Sequence, residues 1–146
     1  NSIIGMPDET RDLIFETIKF VRKLPKNIDA TGAFIFAPYH GTQLRDLAVK
    51  KGYIKNPNTI CDITDPETSM LDQPNLRKDE LIGLARTFGL YQTLPKDKWK
   101  FIKEAEDNTE QSIKLRKKLL DDYHEISRST VPEAAPDMQK LVSSEV

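Results

Sequence analysis

The chain has 146 residues, 38% apolar and 31% charged, with a net charge of −1, enough for one domain with a real core. That balance argues against nucleic acid or an anionic membrane surface as a partner, and no apolar run reaches membrane-spanning length. A single cysteine, Cys61, excludes an internal disulfide and a cysteine-rich metal site, and with no secretory signal the expected setting is reducing and cytoplasmic.

In chain order, Ile3-Ile4 reads as the end of a buried strand and Gly5-Met6-Pro7 as the turn out of it. From 8 to 24, Leu13, Ile14, Thr17, Ile18, Val21 and Leu24 recur at helical spacing. Asp8, Glu9 and Asp12 form an acidic cluster in or just before the first turn, where negative charge suits the helix dipole. Lys23, Pro25 and Lys26 end the helix. Residues 27 to 37 read as a second strand, and the continuous apolar run 33 to 37 is what a strand covered on both faces shows. Strand, helix and strand at this spacing make a βαβ unit, so the two strands should be parallel. Thr42 is a fitting N-cap for a short helix carrying Leu44, Leu47 and Ala48, which Gly52 ends.

Residues 53 to 75 hold Pro57, Pro66 and Pro74 among Asn, Asp and Thr. They read as a loop long enough to be functional or to drape over another element. Helical spacing returns from 76 to 94 through Leu81, Ile82, Leu84, Ala85 and Phe88, and Pro95 breaks it. From 96 to 126 the pattern predicts one long helical stretch through Trp99, Ile102, Ala105, Ile113, Leu119, Leu120 and Tyr123. Its charged face carries i,i+4 pairs such as Glu110–Lys114. Residues 127 to 146 read as a frayed tail. The expected organisation is therefore α/β: βα units over 1–54, a loop over 55–75, a helical region over 76–126 and a flexible tail over 127–146.

Both turns, Gly5 to Thr10 and Pro38 to Thr42, fall at the carboxyl edge of adjacent parallel strands, where α/β proteins place ligand sites. Gly5 lets the backbone approach a flat ligand, and it serves equally in a tight turn with no ligand. Tyr39 and His40 line the same edge, but no carboxylate or second histidine lies near His40 in sequence, so a solvated loop residue is the simpler reading. Cys61 reads as a small buried or half-buried residue and His124 as solvated. Trp99, Phe88 and Tyr91 read as core between the last helices. No nucleophile, acid–base pair or metal-binding set emerges.

Taken together, the two turns resemble the later half of a radical S-adenosylmethionine domain. The carrying residues are Ile3-Ile4-Gly5-Met6-Pro7-Asp8-Glu9-Thr10 and Phe34-Ile35-Phe36-Ala37-Pro38-Tyr39-His40-Gly41-Thr42. The stretch Phe88-Gly89-Leu90-Tyr91, Leu94-Pro95-Lys96, Trp99, Ile102 and Ala105-Glu106 is similar to the C-terminal region of the subgroup that carries a cobalamin-binding domain. The resemblance covers roughly residues 1 to 110. It implies a partial (β/α) barrel whose earlier strands carry three cysteines holding a 4Fe-4S cluster, which cleaves S-adenosylmethionine reductively to a 5′-deoxyadenosyl radical. It implies that Ile3 and Gly5, then Phe36 and Ala37, pack around the adenosyl part of the cofactor, with Asp8 standing where the family's pattern has Glu. Asn1 likewise replaces a glycine of that pattern.

One cysteine cannot hold the cluster. The expectation is a C-terminal fragment of an iron–sulfur, S-adenosylmethionine-dependent and cobalamin-linked enzyme, of methyltransferase or oxidoreductase type. It is inactive alone and partnered by the missing N-terminal half of its barrel. A stand-alone binding or interaction module is the alternative; an unrelated enzyme using His40 or Asp8 has less support. Open strand edges and bare apolar faces further predict that the isolated chain self-associates.

Overall fold

The computed structural model describes residues 1–24, 32–61 and 68–130, the side chains of 129 and 130 excepted. Among these residues the chain forms two strands, β1 (Ser2–Ile4) and β2 (Ala33–Ile35), and five α-helices. The helices are α1 (Arg11–Val21), α2 (Gln43–Lys50), α3 (Lys78–Thr93), α4 (Trp99–Glu104) and α5 (Glu110–Thr130), with a 3-10 turn at Lys96–Lys98. The class is α/β and mostly helical. No described helix is long and apolar enough to cross a membrane.

β1 and β2 pair in parallel, in the register Ser2 to Ala33, Ile3 to Phe34 and Ile4 to Ile35. The ladder runs past both ends through Ser2 N to Gly32 O at 3.1 Å and Phe36 N to Ile4 O at 2.7 Å. Alternation then divides the sheet. Ile4, Ala33 and Ile35 face the main core with Ile14 and Ile18 of α1 and Leu81, Leu84 and Phe88 of α3. Ile3 and Phe34 point the other way and are 55% and 60% exposed. The apolar run of β2 predicted cover on both faces; one face is bare. The expected strand over 27 to 37 is realised at Ala33–Ile35, and positions 25 to 31 lie outside the described residues.

Helix α1 starts just after Asp8 and Glu9, one of the two placements the acidic cluster allows. Thr10 is its N-cap, accepting from Leu13 N, so Asp8 and Glu9 precede the helix and Asp12 alone of the three lies in its first turn. The stretch from 96 to 126 is broken, not continuous: Ala105 closes α4, and Thr109 opens α5 by accepting from Ser112 N at 3.1 Å. Arg116 donates to the carbonyls of Ala105 and Asp107, which closes the corner. The break lets α5 fold back, so that Leu119 joins the core formed by α3 and α4. Helix α5 continues to Thr130, into the expected tail, whose remainder lies outside the described residues.

The loop after α2 does drape. Ile54 and Leu71 are buried with Ala48 of α2 in a second, smaller core, and Phe36, Val49, Tyr53 and Met70 pack on it. Arg45 of α2, only 3% exposed, donates to the carbonyls of Pro38, Pro57 and Thr59 at 2.6 to 2.8 Å and so fastens both loops to the helix.

Candidate functional site

The carboxyl ends of both strands open on one edge, and the bare sheet face lies beside it. Gly5 leaves β1 with φ +84, and a Cβ there would lie 2.5 Å from Leu81 Cδ2. The left-handed backbone therefore favours glycine, and an added Cβ would also have to displace the end of the Leu81 side chain. Beyond it, the Glu9 carboxylate turns back and accepts from the amides of Gly5 and Met6, the latter at 3.2 Å. Glu9 thus supplies the acceptor for the first loop amides, and its own amide donates to Met6 O at 3.0 Å.

Asp8 has a different task. It holds φ 67, a region that few residues other than glycine, Asn and Asp tolerate. Its carboxylate accepts from Lys51 Nζ and from Tyr53 Oη, the latter at 2.7 Å. Its amide donates to Gln73 Oε1 at 2.9 Å, and Gln73 Nε2 donates to Met6 O at 3.2 Å. The bond from Lys51, with that from Tyr53 second, holds the Asp8 carboxyl below the usual carboxylate range. The same bonds push Lys51 and Tyr53 up. Asp8 therefore latches the β1 turn to the end of α2 and the loop after it. Charge at a helix N-terminus, the simplest sequence reading of this residue, is not its role.

The second turn is built from Phe36 to Thr42. Phe36 packs on the smaller core, and Ala37 O accepts from Tyr39 N at 3.0 Å. Thr42 caps α2, its Oγ1 accepting from Arg45 N. Tyr39 and His40 are exposed on this turn. Of the five residues expected to meet a cofactor, Ile3 lies on the open face. Gly5 sits under Leu81, Asp8 in the latch, and Phe36 and Ala37 where β2 ends. What the face offers a ligand is apolar area and the Phe34 ring, although the apolar run 33 to 37 predicts a strand covered on both faces. The register, visible only once the strands pair, is the signal that exposes it.

Lys51, Tyr53 and Gln73, which shape this edge, have no signature in sequence, because each meets the turn across 43 to 67 positions. Cys61 is half-buried and His124 is exposed, as expected. Among the described residues no three His, Cys, Asp or Glu side chains are grouped as a metal site.

The chain matches no protein-family model and no solved structure. Over 56 residues it is 43% identical to an uncharacterised methyltransferase of Pyrococcus horikoshii, a stretch covering 38% of this chain and 12% of that protein. The chain thus matches only a small part of the length of that relative.

Proposed function

We propose that this chain is the adenosyl-side part of a radical S-adenosylmethionine barrel within a longer methyltransferase-type enzyme, and that it is inactive by itself. The carrying observation is the open apolar pair Ile3 and Phe34 beside two strand-end turns on one edge of a parallel sheet. A flat, partly apolar body such as adenine fits such a shelf, stacking on a ring with strand-end backbone groups at its rim. Ile3 and Phe34 supply the shelf, while Gly5, Phe36 and Ala37 supply the backbone rim. Asp8 and Glu9 act on the ligand only through the turn they hold. The partial similarity to an uncharacterised methyltransferase bears on the methyltransferase type alone.

The described side chains do not fit an iron–sulfur cluster, since one cysteine is present and no metal-binding group forms. In this reading the cluster, which supplies the electron for cleaving S-adenosylmethionine, is held by cysteines elsewhere in the polypeptide, and a cobalamin-binding domain likewise lies outside the chain.

Two measurements test the proposal. The reading frame upstream of Asn1 should encode a C-x3-C-x2-C triad. In an NMR titration with S-adenosylmethionine, the amides of Ile3, Gly5, Phe36 and Ala37 should shift, and Phe34→Asp should abolish the response. A frame lacking the triad, or shifts confined to other elements, overturns the proposal.

A further inference from the structure

Gln73 lies where the two cores meet. Leu71 is buried in the smaller core and Leu76 in the larger, and between them Asp72 N donates to Tyr53 O at 2.8 Å. Gln73 itself is only 5% exposed. Its side-chain amide crosses to the β1 turn, 65 and 67 positions away in sequence: Oε1 accepts from Asp8 N at 2.9 Å and Nε2 donates to Met6 O at 3.2 Å. Those two groups flank Pro7, so a single side-chain amide meets the turn as the peptide of a neighbouring strand would.

The turn needs a hold from outside. Gly5 has no Cβ to restrict its backbone, and Pro7 has no N–H to anchor it. Glu9 satisfies the amides of Gly5 and Met6, but it belongs to the same turn and moves with it. The Asp8 carboxylate reaches Lys51, yet that pair is open to solvent, where ion pairs contribute little. The Gln73 side chain is enclosed, so water competes less for its bonds.

We propose that Gln73 is a positioning residue for the strand-end site: it fixes the Gly5–Asp8 turn in the form whose backbone rim receives the adenosyl part of S-adenosylmethionine, and it acts through the turn, not on the ligand. The inference rests on the cofactor reading above. Without these bonds the turn visits other forms, and apparent affinity falls with the fraction that keeps the fixed one. Loss of two enclosed hydrogen bonds should weaken binding about tenfold.

The test is the NMR titration with S-adenosylmethionine, run on the wild type and two variants. Gln73→Met keeps the length and bulk of the side chain but removes both bonds; its Kd should rise by that factor, with the amides of Ile14, Ile18 and Phe88 unshifted. Gln73→Glu keeps the acceptor for Asp8 N and sets a second oxygen against Met6 O. It should bind as weakly as Gln73→Met at neutral pH. At about pH 5.5 it should recover most of the loss, because burial raises the pH at which the new carboxyl takes up its proton, and the protonated form donates to Met6 O. The other titratable groups around the turn are Asp8 and Glu9 within it, Lys51 and Tyr53 at the end of α2, and Asp72 beside Gln73; the wild type titrated at the same pH accounts for them. A role in packing alone would be preserved in Gln73→Met and would give no recovery in acid. If Gln73→Met disturbs the core amides, the acid recovery of Gln73→Glu, measured within one variant, decides the matter. Equal affinities of the wild type and Gln73→Met, or weak binding by Gln73→Glu that persists in acid while the wild type still binds, overturn this inference and leave the cofactor reading standing. A wild-type chain that gives no response removes that reading and this inference with it.

Discussion

Glu106 is 5% exposed and is the most heavily engaged charge among the described residues. It accepts from Arg11 at 2.9 and 2.5 Å, from Tyr91 Oη at 2.6 Å and from Lys103 at 2.8 Å. Burial alone raises its pKa; the bonds from Arg11, Lys103 and Tyr91 outweigh that and hold the carboxyl below the usual carboxylate range. Burial, then the bond to Glu106, pushes the Tyr91 phenol up, so it stays a donor. A carboxyl depressed in the folded state stabilises the fold above the ordinary carboxylate range, and that stability is lost as pH falls through its folded-state value. Glu106→Gln should cost about 2–3 kcal/mol at neutral pH, because Arg11 and Lys103 still reach solvent, and Tyr91→Phe about 1 kcal/mol. The acid limb of the stability curve should flatten in Glu106→Gln; urea melts at several pH values that keep the wild-type slope would refute the assignment. None of this network is legible in sequence. Its members lie up to 95 positions apart, and no spacing in sequence ties Glu106 to Arg11 or Tyr91.

Individual elements were legible where their own residues decide them. The core positions Ile14, Ile18 and Val21 of α1, the cap of Thr42 and the βα order follow from local spacing and cap chemistry, and the structure has them. What spacing misjudged are features set from outside an element: the bare face of β2 and the break between α4 and α5. The crossing of α3 with the end of α4 shows why. Gly83 lies mid-helix, where glycine costs about 1 kcal/mol against alanine, and sequence alone gives no reason for it. A Cβ there would stand 2.8 Å from Glu106 O and 2.9 Å from Glu106 Cβ. The first of these contacts is backbone, so the helices must part to admit a methyl group. Gly83→Ala should therefore destabilise by about 1–3 kcal/mol despite its better helix propensity. Thermal melts showing a gain in stability would mean that the crossing is looser than this geometry.

Across the whole molecule, stability is divided between two cores of unequal size. The larger joins β1, α1, α3, α4 and α5, and the buried Arg11–Glu106 bonds, the aromatic contacts of Phe15, Tyr91 and Trp99 and the Arg22 cap bind it together. The smaller has three buried apolar residues, Ala48, Ile54 and Leu71. Arg45 fastens it internally, while Asp8 and Gln73 tie it to the β1 turn. So little apolar area, held by a latch at the surface, should open without unfolding the rest. In native-state hydrogen exchange the amides of α2 should then be less protected than those of Ile14, Ile18 and Phe88. Asp8→Asn should lower protection in α2 and leave α1 and α3 unchanged. The latch also has a pH sign. Because the bond from Lys51, then that from Tyr53, depresses the Asp8 carboxyl, its contribution is present above the ordinary carboxylate range and fades as pH falls through the lower folded value. Protection of α2, corrected for intrinsic exchange, should fall on acidification before that of α3. Equal protection of α2 and α3 in the wild type, or an Asp8→Asn effect spread evenly over all helices, would show a single cooperative unit in which the latch has no separate role.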